Sequence, residues 1–342
     1  MLRFAILGSG YGRTVYLPAL ERCGFHVSVL AARQAHSDVH VTQTDDWRAA
    51  VSRPDVDCVV VALPPKLQRQ ATEYAAFHGK AVICEKPAGL TVEDTSAMLG
   101  HCQAAGVANA VGFQFRYEHG FERLKYELDN GSIGTLERID VDWIIGGPAS
   151  RSRPWSWRND VDEGGGVVLN FATHCIDYVR WLTGAQIKTC NLYSQRLVPF
   201  RSLGPSFKEV TAPDSCDLLL DFEQGPVFAS IRISNVATIP VGHRVVLRGS
   251  RGTISVNHVP PFRSNNFELE ISSPTHNVVL GGPDLGMADF DGDSRLAPVT
   301  RLVSQFASSL KGQVERHLPT LADALEVQRL LADSINSNAD FR

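Results

Sequence analysis

The sequence predicts a doubly wound parallel α/β domain over residues 1–118. An α+β domain over 119–342 follows, built on a large, mostly antiparallel sheet with one open face. Three observations predict this. A glycine loop, Gly8-Ser9-Gly10-Tyr11-Gly12, comes directly after a first apolar run. Apolar runs and helical patterns then alternate as far as residue 118, the pattern of parallel strands joined by helices. In the second half the apolar residues fall at every second position, the period of a strand with one covered face.

Composition bounds the function. A chain of 342 residues is long enough for about two domains. Its 33 basic and 37 acidic residues give a net charge of −4, which argues against nucleic acid or an anionic membrane as the main partner. No apolar run approaches the ~20 residues of a membrane span. The opening Met1-Leu2-Arg3-Phe4-Ala5-Ile6-Leu7 is too short for a signal segment and reads as a first strand. Seven cysteines, with no Cys-x-x-Cys spacing, read as reduced thiols of a cytoplasmic protein, with no structural zinc or other metal.

The elements follow in order. Phe4–Leu7 is a strand, and Val15–Leu20 the helix after the glycine loop. Strand, glycine turn and helix in this order form a dinucleotide fingerprint. The first glycine permits the tight turn and the second admits a pyrophosphate, which the free N–H groups of the helix start then bind. The third glycine falls at Gly12, with Arg13 in its usual place. Val27–Arg33 is the second strand. An NAD enzyme usually ends it with an acid for the ribose hydroxyls; Ala32 and Arg33 stand there instead. Arg33, joined by Arg13, suits a 2′-phosphate, so NADP is expected over NAD. The competing reading is that Arg33 is a surface charge and NAD binds with a weak ribose contact. Asp45-Asp46-Trp47 starts a helix. Val56–Leu63 is a near-continuous β-branched run, a strand covered on both faces and stopped by Pro64-Pro65. Leu67–Phe77 is a helix ended by Gly79, and the strand from Ala81 leads into Glu85-Lys86-Pro87. Ligands of an open α/β sheet bind outside the carboxyl ends of its strands. Lys86 there reads either as a proton donor and hydroxyl anchor or as a solvated lysine. Thr91-x-x-Asp94 caps a helix to Ala105, and Val107–Phe113 is a further strand.

In the second half, Tyr117–Asn130 is a helix. Strands are expected at Ile139–Ile145, Cys216–Phe222, Val227–Ile233, Val245–Leu247, Ile254–Val256 and Phe267–Ile271. Gly249-Ser250-Arg251-Gly252 is a hairpin turn. Between them, Arg153-Pro154-Trp155-Ser156-Trp157-Arg158 is aromatic and basic, suited to sugar rings and hydroxyls; packing beneath a loop is the other reading of Trp155. Gly164-Gly165-Gly166 opens a helix on which Asn170, His174, Asp177 and Trp181 share one stripe. A Gly-, Pro- and Asp-rich loop runs from Leu280 to Pro298, then helices start at Arg301 and Thr320; the last is expected to pack back on the first domain. The open sheet face suits a homodimer or homotetramer.

Gly8-x-Gly10, Val59–Pro65, Gly79-Lys80-x-Val82-x-Cys84-Glu85-Lys86-Pro87, Trp155–Arg158, Gly164–Gly166 and Asn170-x-x-x-His174-x-x-Asp177 together resemble the Gfo/Idh/MocA family (glucose–fructose oxidoreductase, inositol dehydrogenase and rhizopine catabolism). The resemblance spans essentially the whole chain. It implies a Rossmann domain, a nicotinamide cofactor and hydride transfer to or from a carbinol or keto carbon of a sugar, sugar derivative or cyclitol. It assigns acid/base roles to Lys86 and His174. Cofactor contacts are expected from Gly8, Ser9, Gly10, Tyr11, Gly12, Arg13, Ala32, Arg33, Leu63, Pro64, Glu85 and Lys86. Substrate contacts are expected from Lys86, Arg116, Trp157, Arg158, Asn170 and His174. Two positions depart from the family: Asn170 replaces a common Asp, and Gln68 stands where many members have His. The rival readings are a dinucleotide-sensing regulator without chemistry and a glycoside hydrolase that recycles its nicotinamide.

Overall fold

The computed structural model describes residues 1–224, 227–258, 267–281, 293–313 and 317–337. The chain forms two compact units: Met1–Tyr117 with Arg295–Gln328, and Glu118–Ser294 with Arg329–Arg342. No helix among the described residues is long and apolar enough to cross a membrane.

The first unit carries six strands: β1 (Arg3–Leu7), β2 (His26–Ala31), β3 (Gln43–Thr44), β4 (Cys58–Val61), β5 (Ala81–Cys84) and β6 (Asn109–Val111). They lie in the order β3-β2-β1-β4-β5-β6, every pair parallel. The helices α1 (Leu17–Arg22), α2 (Trp47–Ser52), α3 (Pro65–Phe77) and α4 (Val92–Ala104) connect them. All four residues of β4 are buried, as a β-branched run covered on both faces requires. The caps follow local chemistry. Asp46 accepts from the Arg48 and Ala49 N–H groups, and Thr91 from the Asp94 N–H. Gly79 ends α3 at φ +67°, a conformation that favours glycine.

The boundaries shift where it matters. β2 ends at Ala31 and β5 at Cys84, two residues earlier than the apolar runs predict. Ala32, Arg33, Glu85 and Lys86 therefore lie beyond the carboxyl edge of the sheet. A π-turn, Gly12–Tyr16, precedes α1 in place of the expected α-helix from Val15.

The second unit holds α5 (His119–Asp129), α6 (Thr173–Thr183) and ten strands among the described residues: β7 (Leu136–Gly146), β8 (Ile187–Gln195), β9 (Phe200–Leu203), β10 (Ser206–Glu209), β11 (Ser215–Phe222), β12 (Phe228–Ala237), β13 (Gly242–Gly249), β14 (Gly252–His258), β15 (Phe267–Ser273) and β16 (His276–Gly281). Eight form one sheet, β16-β15-β14-β13-β7-β12-β11-β8, antiparallel except for β12 beside β7. Gly249 pairs with Gly252, so Ser250-Arg251 is the expected two-residue turn. One face buries Ile139, Val141, Leu218, Ile231, Val245 and Val256. The other carries charges in register. Asp140 accepts from Ser230 Oγ (2.8 Å), Arg138 Nε (2.8 Å) and Arg248 Nε (3.1 Å), while Arg232 pairs with Asp142 at 2.6 Å. The sequence reading missed β8–β10 and β16.

The expected loop from Leu280 to Pro298 is corrected at its end; residues 282–292 lie outside the described residues. α7 (Leu296–Ser309) begins five residues before Arg301, with Pro298 in its first turn, where a missing N–H costs no helical bond. α8 (Leu321–Ser337) follows. Leu296, Val299, Leu302, Val303 and Phe306 of α7 lie in one apolar cluster with Phe4 and Ile6 of β1, Leu30 of β2 and Ile83 of β5. The core of the first unit is thus completed by residues some two hundred positions downstream of its sheet. Phe306→Ala should cost about 3–5 kcal/mol in chemical denaturation; a loss below about 1 kcal/mol would remove α7 from this core.

Candidate active site

In the first unit the glycine loop sits at the carboxyl edge, beside the switch in strand order between β1 and β4. Gly8 has φ +105°, and a Cβ there would lie 2.3 Å from the Ala62 carbonyl oxygen. A Cβ on Gly12 would lie 2.7 Å from Ile6 Cγ2, so this glycine seats the π-turn on the sheet. Nothing lies within 4 Å of a Cβ placed on Gly10, whose backbone is open on that side. A bare backbone at a topological switch point fits a dinucleotide pyrophosphate.

Beyond β2, Arg33 is exposed, and no carboxylate pairs with it among the described residues. Arg13 differs from its expected role as Arg33's partner. It pairs with the Asp38 carboxylate and reaches back to the Ser9 carbonyl oxygen. The loop after β2 thus returns an acid that the residues at the strand end do not show.

Beyond β4, Leu63 and Pro64 are half-buried, and Pro64 precedes α3. Gln68 is buried. It donates to the Leu63 carbonyl (3.2 Å) and accepts from the Gly89 N–H (2.8 Å), tying this turn to the turn after Lys86. Gln328 donates to the Gly89 carbonyl at 3.3 Å, and Thr95 Oγ1 to the Ala88 carbonyl. Lys86 itself is half-buried. Glu85, expected at the cofactor, is instead turned inward: it is 9% exposed and accepts from the Tyr16 hydroxyl at 2.8 Å. Tyr11 meets Tyr16 edge to face at 5.7 Å, with the Arg295 guanidinium 5.0 Å from the Tyr11 centroid. Arg116, expected at the substrate, is 5% exposed and pairs with Asp323 at 3.0 Å. Burial pushes Asp323 up, but Arg116 and Thr320 outweigh it and hold the carboxyl below its usual range. Arg116 therefore fixes the start of α8.

In the second unit a further π-turn, Val168–Ala172, interrupts the straight helix on which the polar stripe was drawn. Asn170 turns back, and its amide donates to the carbonyl oxygens of Gly164 (3.1 Å) and Gly166 (2.8 Å). His174 and Asp177 are both buried, at 2% and 1% exposure. The His174 ring lies 6.0 Å from Trp143. Trp143 is packed edge-on by Phe171 at 4.6 Å and stacked on His243 at 4.3 Å and 9°. Tyr178 Oη lies 3.1 Å from His243 Nε2. Burial, with His258 adding to it, pushes His243 down to about 3, so this ring stays neutral at physiological pH. The sequence reading missed the cluster of Trp143, His243 and Tyr178; only the alternation of β7 pointed Trp143 inward.

The aromatic–basic segment leans on the glycines. A Cβ on Gly165 would lie 2.5 Å from the Arg158 carbonyl oxygen and 2.6 Å from that of Asp160. Trp157 is half-buried, with the exposed Arg158 guanidinium 4.7 Å from its centroid. Trp155 takes its packing reading: its indole N–H donates to the Glu209 carbonyl at 3.1 Å, and Lys208 Nζ lies 3.5 Å above the ring. Among the described residues no group of three or more His, Cys, Asp or Glu side chains is placed to hold a metal.

Residues 2–113 match the model of an oxidoreductase family with an NAD-binding Rossmann fold, and residues 121–255 match the GFO/IDH/MocA C-terminal domain. An uncharacterized oxidoreductase of Synechocystis, sll0816, is 29% identical across 96% of this chain and 92% of its own. The levoglucosan dehydrogenase of Pseudarthrobacter phenanthrenivorans is 30% identical over 51% of this chain and 45% of its own. A levoglucosan dehydrogenase structure in complex with NADH and L-sorbose superposes with a TM-score of 0.84 at 20% identity, covering 99% of this chain and 97% of that one.

The Asn170 amide has a direct test. Asn170→Asp sets a carboxylate against two carbonyl oxygens and should cost about 1–3 kcal/mol at pH 7. The acid is favoured protonated in the fold, so its folded pKa is raised; the lost stability should return as pH falls toward the unfolded carboxyl pKa of about 4. Urea denaturation at pH 7 and pH 4.5 measures the difference. An equal loss at both pH values would remove the carbonyl contacts as its cause.

Proposed function

The chain belongs to the GFO/IDH/MocA family of oxidoreductases with an NAD-binding Rossmann fold, and from that premise we propose that it acts on a sugar, sugar derivative or cyclitol. The observation that carries this reading is the Glu85-Lys86-Pro87 motif, beyond the carboxyl end of β5, in a chain both halves of which match the family. The nicotinamide, when bound, exchanges a hydride with a carbinol or keto carbon. The backbone of Gly8–Gly12 and the turn Leu63-Pro64 hold the dinucleotide. His174 gives or takes the hydroxyl proton, and the Lys86 ammonium steadies the charge on that oxygen. Trp157 and Arg158 bind the polyol. Acid/base help of this kind is worth roughly 10²–10⁴ in rate.

Asn170 orients the glycine turn through its amide, and its carbonyl oxygen serves a substrate hydroxyl. Within the dinucleotide class we propose NADP, on Arg33 alone, because the Asp38 carboxylate offsets Arg13. The open, charge-paired face of the second sheet suits a homodimer or homotetramer, and light scattering across the micromolar range tests it: a monomer throughout removes that assembly.

The function is tested by titrating the protein with NADPH and NADH, following nicotinamide fluorescence, and then adding a panel of keto-sugars. Consumption of one substrate with preferred NADPH supports the whole reading. Tight binding without consumption across the panel overturns the oxidoreductase assignment in favour of a sensing or cofactor-recycling role. His174→Ala should lose at least about a hundredfold in turnover with cofactor affinity retained; unchanged turnover removes His174 from the mechanism. Asp38→Asn frees Arg13, and NADPH affinity should rise up to about fivefold relative to NADH, the span of one exposed ion pair. No change in that ratio would place Arg13 away from the 2′ position.

A further inference from the structure

Glu85 is a buried acid that the reaction proposed above does not use. It is the first residue beyond β5, and its N–H donates to the Val61 carbonyl at 2.9 Å, so its backbone still belongs to the sheet edge. Its side chain turns under the edge. The carboxylate accepts from the hydroxyl of Tyr16, which is fully buried in the π-turn after the glycine loop. A Cβ at residue 112 would fall 2.2 Å from Glu85 Oε1, so a larger residue there would displace the carboxylate from its present place. Burying a carboxyl without a full ion pair is costly, and that cost has to be met by something the position supplies.

Among the described residues, three supply the groups that act on the Glu85 carboxyl. Tyr16 supplies a neutral donor. Lys86 supplies its backbone N–H and its ammonium, and Arg295, from the start of α7, adds a second cation. On the other side of Lys86 the turn is pinned at Ala88 by Thr95 and at Gly89 by Gln68 and Gln328. The backbone through Lys86 is thus clamped on both sides, by the buried Glu85 side chain before it and by the Ala88-Gly89 turn after it. Burial pushes the Glu85 carboxyl up to about 7 against the opposing pull of Lys86, Tyr16 and Arg295.

We propose that Glu85 is a positioning residue for Lys86: anchored on the Tyr16 hydroxyl beneath Gly112, its carboxylate holds the adjacent ammonium in place and charged. The inference rests on the reading that Lys86 serves the reaction, but its test does not need turnover. Glu85→Gln keeps the volume and the acceptor for Tyr16 and removes the charge.

The pH dependence of Lys86 acetylation by acetic anhydride, read by peptide mass spectrometry, gives the titration midpoint of that amine in the intact protein. In Glu85→Gln the midpoint should fall by about one pH unit or more, the usual effect of losing an adjacent opposite charge. Tyr16→Phe, which leaves the carboxylate without its anchor, should broaden or shift the same titration. Thermal melts supply the control for burial. A carboxyl with a raised folded pKa stabilises fully below its unfolded pKa and loses that contribution as pH rises through the folded value. Glu85→Gln should therefore gain in melting temperature relative to the parent between pH 5 and pH 8. A melt that gains as expected with an unmoved Lys86 midpoint would overturn the positioning role while leaving the buried acid. A melt without pH dependence would overturn the buried charge itself. Inactivity of the parent on every sugar, with the Lys86 midpoint shifted, would count against the proposed function and leave this inference standing.

Discussion

Along the carboxyl edge of the parallel sheet, Gly8, Gly12 and Gly112 stand where a Cβ would fall 2.2–2.7 Å from a neighbouring atom. Gly8 presses on the Ala62 carbonyl, Gly12 on Ile6, and Gly112 on the Glu85 carboxylate. These contacts set how closely the turns after β1, β4 and β5 approach one another. With side chains there, the π-turn would lift from the sheet, Tyr16 would lose Glu85, and the Lys86 turn would no longer be referred to the glycine loop. The steric constraint comes first, and the polar links follow from it. Once the backbones are this close, Gln68 can span the Leu63 and Gly89 turns with one side chain. α7 and the first part of α8 belong to the same unit. Leu296 to Phe306 fill the apolar side of the sheet, and Gln328 reaches the Gly89 carbonyl.

The second unit solves a different problem. Its sheet buries one face and leaves the other to charges that satisfy one another: Asp140 alone takes three donors from three strands. Burial pushes Asp140 up, and those donors outweigh it, holding the carboxyl below its usual range. On the covered face the polar atoms are gathered around Trp143. A neutral His243 stacked on an indole is a rigid support, because both rings have few rotamers and burial keeps the imidazole uncharged. The His174 ring lies beside Trp143, so a residue of β7 as well as its own helix forms its surroundings.

Much of this was legible in the sequence, and what was not has physical causes. The parallel strands announced themselves because a strand covered on both faces must be apolar throughout. The antiparallel strands did so because one face must alternate. β8 escaped because a register shift opposite Asp221 and Phe222 breaks its period, leaving Ile187, Cys190 and Leu192 as the buried residues. β9 and β10 escaped because they bury an arginine and expose phenylalanines, the reverse of the usual signal. The sequence offers candidate residues where a motif fixes position along the chain: Gly8, Gly12, Lys86, His174. It does not offer partners, because Asp38 for Arg13, Asp323 for Arg116 and Tyr16 for Glu85 are set by the fold and leave no mark in local spacing. A guanidinium drawn from sequence as open to a ligand is the weakest inference of this kind, since any distant carboxylate can claim it.

The two departures from the family pattern acquire a meaning at this level. Gln68 has both a donor and an acceptor on one planar group, and it uses the first on Leu63 and the second on Gly89. A neutral imidazole also has one of each, but on fixed ring vectors, so the amide joins two turns at a spacing a ring would have to match. Asn170 supplies two hydrogens from one nitrogen to two glycine carbonyls. A carboxylate has none to give and would meet those oxygens with like charge. Both substitutions therefore replace a group suited to moving protons with one suited to holding backbone. On the function proposed above, acid/base work falls to the two titratable side chains that remain in motif register, Lys86 and His174. The two amide hydrogens tie Asn170 to the glycine turn that leads into the helix of His174.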